Sequence, residues 1–189
     1  HLIGLLLPSQ GTVTVAGHDT RQTPTHELAK DVGFCFQNPN HQIVSFNVRE
    51  EMAFGLKAHN IDPSEFESRI KDALEIVNMQ DYLDAEIFDL GKGQKQRIAL
   101  ASVLTLKPKI LVIDEPSKKL NDDGTTVLCI THNVELAALF ATRAIVLNRG
   151  HLAYDGLIDE LLLKEDVMQA NSLELPDITR LAKQLSPLG

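Results

Sequence analysis

A chain of 189 residues with 43% hydrophobic content can bury one sizeable α/β core. Its formal net charge of -8 argues against a nucleic-acid-binding surface, and no apolar run approaches the ~20 residues a membrane helix needs. With no charged-then-apolar signal segment at its start, the chain is expected to be soluble, or attached to a membrane only through partners. Cys35 and Cys129 both lie in apolar strand-like runs, VGFCF and TVLCIT, so two buried free thiols are expected rather than a disulfide. The seven histidines show no ligand spacing, and no structural metal is expected.

In chain order, His1 to Leu7 (HLIGLLL) looks like the last turns of an apolar helix closed by Pro8-Ser9. Gly11 to Gly17 (GTVTVAG) alternates between glycines and predicts a half-exposed antiparallel strand. Val32 to Phe36 predicts a buried strand that runs into Gln37-Asn38-Pro39. Val48 to Leu56 is helical, with acids early as the helix dipole prefers. Asp62-Pro63-Ser64-Glu65 reads as a helix start, with Asp62 capping, Pro63 in the first position and Glu65 reaching back. Phe66, Ile70, Leu74 and Val77 then mark one apolar stripe, which is core. Leu90-Gly91-Lys92-Gly93-Gln94 opens a long helix, and its glycines would bare backbone N–H groups at a helix N-terminus, a ready anion site.

Ile110 to Ile113 reads as a strand buried on both faces of a parallel sheet, delivering Asp114 and Glu115 at its carboxyl end before Pro116 stops the ladder. Acids at that end of an α/β sheet are site candidates. Thr126 to Ile130 is expected to be another buried strand, ending in Thr131-His132-Asn133 and a helix from Val134. Ala144 to Asn148 and His151 to Tyr154 pair as a hairpin across Arg149-Gly150. Two amphipathic stretches follow, IDELLLKEDVMQA and LPDITRLAKQL, the second with Ile178, Leu181, Ala182 and Leu185 on one face.

FQNP, LGKGQKQR, ILVIDEP and ITHN, in this order and on these element types, resemble the motifs of the ATP-binding cassette (ABC) ATPases. The resemblance implies an α/β fold: a P-loop NTPase-like core with a mainly parallel sheet, an antiparallel β part and a helical subdomain. It implies an ATPase domain over residues 1–157, its helical subdomain about 40–106, and a C-terminal helical tail over 158–189. The tail resembles that of energy-coupling-factor and cobalt-type importer ATPases, where it helps two ATPase subunits associate. The function implied is ATP hydrolysis energising uptake of a vitamin or a transition-metal ion, with ATP and Mg2+ as cofactors. Asp114 and Gln37 would hold the magnesium, Glu115 would handle the attacking water, and His132 would contact the γ-phosphate. Leu90, Gly91, Lys92, Gly93 and Gln94 would bind the ATP of an opposite subunit, in a head-to-tail homo- or heterodimer. Further partners implied are a transmembrane coupling subunit and a solute-binding membrane subunit, with no nucleic acid, at the cytoplasmic face of the cell membrane.

Three departures from the family pattern stand out. No G-x-x-x-x-G-K-[ST] loop occurs in the 189 residues. The signature L-S-G-G-Q has Gly91 in place of serine and Lys92 in place of the first paired glycine. Finally, a parallel crossover needs a dozen or more residues and normally a helix, which Glu115 to Thr125 cannot supply. Ser117 and Lys118 are therefore expected not to be covalent neighbours, with a segment of roughly a dozen or more residues missing between them. Two rival readings remain open: a non-transport ABC ATPase, and a catalytically inactive partner subunit.

Overall fold

The computed structural model describes residues 1–114 and 125–176. They fall into two compact units, one ending at Ile130 and one beginning at Thr131. In the first, β1 (Thr14–Val15) and β2 (His18–Asp19) form a small antiparallel hairpin. Ala16 and Gly17, at φ 50° and 85°, make a two-residue turn of the kind whose twist matches the flanking strands. The strand expected over Gly11 to Gly17 is thus cut to two residues. The helix expected over His1 to Leu7 does not form. Gly4 sits at φ 72° in a turn closed by its N–H on the His1 carbonyl. Seven residues ahead of a proline offer too few hydrogen bonds to offset helix nucleation, and Leu5, Leu6 and Leu7 stay exposed. The short α1 (Thr25–Leu28) follows and buries Leu28.

The sheet of this unit is β3 (Val32–Cys35), β4 (Ile110–Asp114) and β5 (Thr126–Ile130), in the order β3-β4-β5 with both pairings parallel. Its two faces follow the strand period of two. Val32 and Val112 pack with Val15 and with the half-buried Val13, Phe34 and Ile110 on one face. Cys35, Leu111 and Ile113 face the other way, against Leu100, Val103 and Leu104 of α4 (Lys92–Leu104). Gly33 marks where that helix comes closest: a Cβ there would collide with Val103 Cγ1 and lie 3.0 Å from Pro108 Cγ.

β5 corrects an expectation. Its register with β4 is parallel, as the sequence predicts, yet all five residues are exposed. An apolar run is buried only where neighbouring elements cover it, and among the described residues β5 pairs on one side alone, as a sheet edge. Cys129 is accordingly exposed while Cys35 is buried; both are free thiols.

Between β3 and β4 the chain builds a helical layer from α2 (Val48–Ala58), α3 (Phe66–Ile76) and α4, which share one core of Met52, Leu56, Leu74, Met79 and Ile98. The α3 stripe is as expected, with Ile70, Leu74 and Val77 buried and Phe66 half-buried. Asp62 caps the turn before it, accepting from Ser64 N at 2.9 Å. Glu65 differs from the reading: its carboxylate turns forward to accept from Arg69 Nε and Nη2 at 2.9 and 2.8 Å, since a guanidinium one turn on offers two charged donors.

In the second unit, α5 (Val134–Phe140) is capped by Asn133, whose Oδ1 accepts from Leu136 N. The hairpin of β6 (Arg143–Asn148) and β7 (His151–Leu157) turns through Arg149 and Gly150 at φ 50° and 81°. α6 (Ile158–Leu163) and α7 (Glu165–Ala170) close a small core of Tyr154, Ile158, Leu161 and Met168. Ile178, Leu181, Ala182 and Leu185 lie outside the described residues.

Candidate functional site

The carboxyl edge of the parallel sheet gathers two of the predicted residues. Asp114 ends β4, the central strand, half-buried and in register with Ile130. Gln37 leaves the adjacent β3 two residues after Cys35 and is exposed. Side-chain oxygens at the ends of adjacent parallel strands are hard donors, the kind magnesium takes while keeping several of its waters. Among the described residues no three His, Cys, Asp or Glu side chains cluster as a metal-binding group. Asp114 and Gln37 offer this edge one carboxylate and one amide oxygen, a donor set that fits a hydrated magnesium ion. Glu115 lies outside the described residues.

The signature turn sits at the head of α4. Leu90 is buried and anchors it, Gly91 is the N-cap, and Gln94 reaches back so that its Oε1 accepts from Gly91 N at 2.9 Å. That bond is one half of a capping box; Gly91 has no side chain to make the other. Lys92 and Gly93 are exposed, and nothing lies within 4 Å of where a Gly93 Cβ would be. Eight residues separate Lys92 from Leu100, the point where α4 meets the sheet, so the turn stands roughly 12 Å away along the helix. The structure thus brings Gln37 and Asp114 to one edge and sets the turn of residues 90–94 apart from it. His132 belongs to the second unit, exposed, in the turn ahead of α5 where Thr131 Oγ1 accepts from Asn133 N.

Two residues escaped the sequence reading. Gln42 accepts from Phe36 N through Oε1 at 3.1 Å and donates from Nε2 to the Ala99 carbonyl of α4 at 2.6 Å. Glu51, whose place in the first turn of α2 suggested only a dipole partner, is 3% exposed and accepts from Val44 N and Ser45 N, both at 3.0 Å. Neither carries a sequence signal, because a lone polar residue beside a turn gives no periodicity to read.

A parallel sheet with Gln37 and Asp114 on its carboxyl edge, beside a helical layer led by a glycine-containing turn, is the architecture of an ABC ATPase. The family model described as ABC transporter matches residues 1–118, and the chain belongs to this family. The energy-coupling factor transporter ATP-binding protein EcfA1 of Clostridium novyi is 36% identical over 100% of this chain and 73% of its own length. Its counterpart in Leuconostoc mesenteroides is also 36% identical, over 98% and 74%. An ABC transporter ATP-binding protein of Caldanaerobacter subterraneus is 34% identical over 98% of the chain, which spans 35% of that longer relative. The solved structure of cbiO1 from Clostridium perfringens, part of the ABC transporter complex cbiONQ, superposes with a TM-score of 0.78 at 26% identity. That superposition covers 96% of this chain and 80% of the other.

Proposed function

We propose that this chain is the ATP-binding and ATP-hydrolysing energy-coupling subunit of a membrane importer of the energy-coupling-factor type, taking up a vitamin or a transition-metal ion. The observation that carries the reading is the pairing of Asp114 and Gln37 at one sheet edge with a separate signature turn heading α4. Such a split suits a head-to-tail dimer in which each ATP lies between the sheet edge of one subunit and the 90–94 turn of the other. Asp114 and Gln37 would hold a hydrated magnesium ion, which would supply charge stabilisation to the phosphates, and Gln37 would help align the attacking water. Glu115 would take the water's proton, and His132 would contact the γ-phosphate. Catalysis is then positioning and charge stabilisation, with no covalent intermediate on the protein.

The names of the relatives support the energy-coupling-factor transporter class, and the surface supports a membrane partner. Just beyond Gln37 the chain presents Val44 and Phe46, 61% and 81% exposed, on a backbone pinned by Glu51. The subunit would work peripherally, at the cytoplasmic face, on a transmembrane coupling subunit and its solute-binding partner; no helix among the described residues is long and apolar enough to cross a membrane.

The test is co-purification of the full-length gene product with such a membrane subunit, followed by ATP turnover in the complex. Hydrolysis without any membrane partner would favour a non-transport ABC ATPase. A stable complex that binds ATP without turning it over would favour an inactive partner subunit, the reading that Gly91 and Lys92 in the signature also support.

A further inference from the structure

We infer that Gln42 is a positioning residue that ties the Gln37 turn to the signature helix α4. Gln37 stands on a very short leash. Asn38 caps the 3-10 turn Pro39–His41 by accepting from Asn40 N at 3.1 Å, and Pro39 is buried. The Pro39 carbonyl accepts from the N–H groups of Gln42 and Ile43, so the turn folds back on itself. Gln42 closes this turn and uses both ends of its amide. The Oε1 holds the N–H of Phe36, the residue before Gln37, and the Nε2 holds the Ala99 carbonyl in the buried middle of α4.

Ala99 O also accepts from Ser102 Oγ at 2.9 Å, so this carbonyl is the fixed point and the glutamine the arm that reaches it. One side chain therefore connects the end of β3 to the helix that carries residues 90–94 at its head. A shift of α4 relative to the sheet must either stretch these two bonds or carry the backbone around Gln37 with it. Small displacements at a well-packed point are passed on rather than absorbed.

The inference rests on the reading of Gln37 and the signature turn given above, and two variants separate its parts. Gln42→Glu keeps an oxygen for Phe36 N but sets a carboxylate oxygen against the Ala99 carbonyl, cutting only the helix arm. Gln42→Met keeps the length and cuts both arms. Amide hydrogen exchange of the full-length protein without nucleotide reads the link directly. Exchange at Phe36 should rise about tenfold or more in Gln42→Met and stay near wild type in Gln42→Glu. Unchanged exchange at Phe36 in Gln42→Met would overturn the link.

Turnover reads what the link serves. Both variants should lower kcat by about tenfold, with KM for ATP within about twofold and Tm within a few degrees of wild type. A kcat unchanged in both, or one that falls only in step with Tm, would leave Gln42 a purely structural residue and sink the inference. Wild-type protein with no turnover at all would instead defeat the functional reading, while the exchange result still decides the link.

Discussion

Lys92 is an odd residue to find at the first position of a helix. The amino end of a helix carries partial positive charge, so a cation there is disfavoured by up to about 1 kcal/mol unless an anion sits between them. A phosphate from the opposite subunit would turn that repulsion into attraction. Lys92→Glu should then weaken ATP-dependent dimerisation more than Lys92→Ala, and added salt should narrow the gap, read by size-exclusion chromatography with ATP. Equal behaviour of the two variants would put Lys92 in solvent. Glu115→Gln should abolish turnover while sparing ATP binding, because the amide keeps the shape but cannot accept the water's proton. An ATP-bound dimer should accumulate. Unchanged steady-state hydrolysis would remove Glu115 from the reaction. The thiols differ by burial: desolvation lifts the Cys35 thiol to about 11, and Cys129 is exposed. Alkylation of folded protein, followed by mass spectrometry, should label Cys129 and spare Cys35 until denaturant is added.

At the scale of elements, the sequence spoke clearly wherever a pattern was long or bound to a motif. The α3 stripe, β3, β4 and the β6–β7 hairpin all lie where periodicity and turn residues put them. It misled where burial was inferred from composition alone. TVLCI is as apolar as ILVID, yet among the described residues β4 is covered on both faces and β5 on neither, and only tertiary neighbours decide between them. The same limit hid Gln42 and Glu51, whose partners are backbone groups brought near by folding. Gly33 shows the reverse case, a residue whose meaning needs the packed helix beside it. Gly33→Ala should cost roughly 1–3 kcal/mol, because Val103 cannot withdraw without disturbing α4, and urea unfolding would measure it. A loss below about 0.5 kcal/mol would show that α4 can ride outward without penalty.

For the molecule as a whole, the connection between β4 and β5 is the feature that matters most. The expected join at Ser117 and Lys118 lies outside the described residues. The alignment with the Clostridium novyi relative nevertheless runs over 206 positions, more than the chain has residues, so that relative carries residues this chain lacks. The family match, too, stops at residue 118. Intact mass and peptide mapping of protein expressed from the native gene should reveal additional residues between Ser117 and Lys118; a tryptic map continuous through Pro116-Ser117-Lys118 would close the question against them. Among the described residues β5 has one unpaired edge and bare Val127, Leu128 and Ile130, which has a consequence for handling the protein. A free strand edge bearing aliphatic side chains is a template for like strands from other molecules. Chain of this sequence should precipitate with concentration in a manner that Leu128→Lys relieves, its fate in the tube set by one bare strand edge.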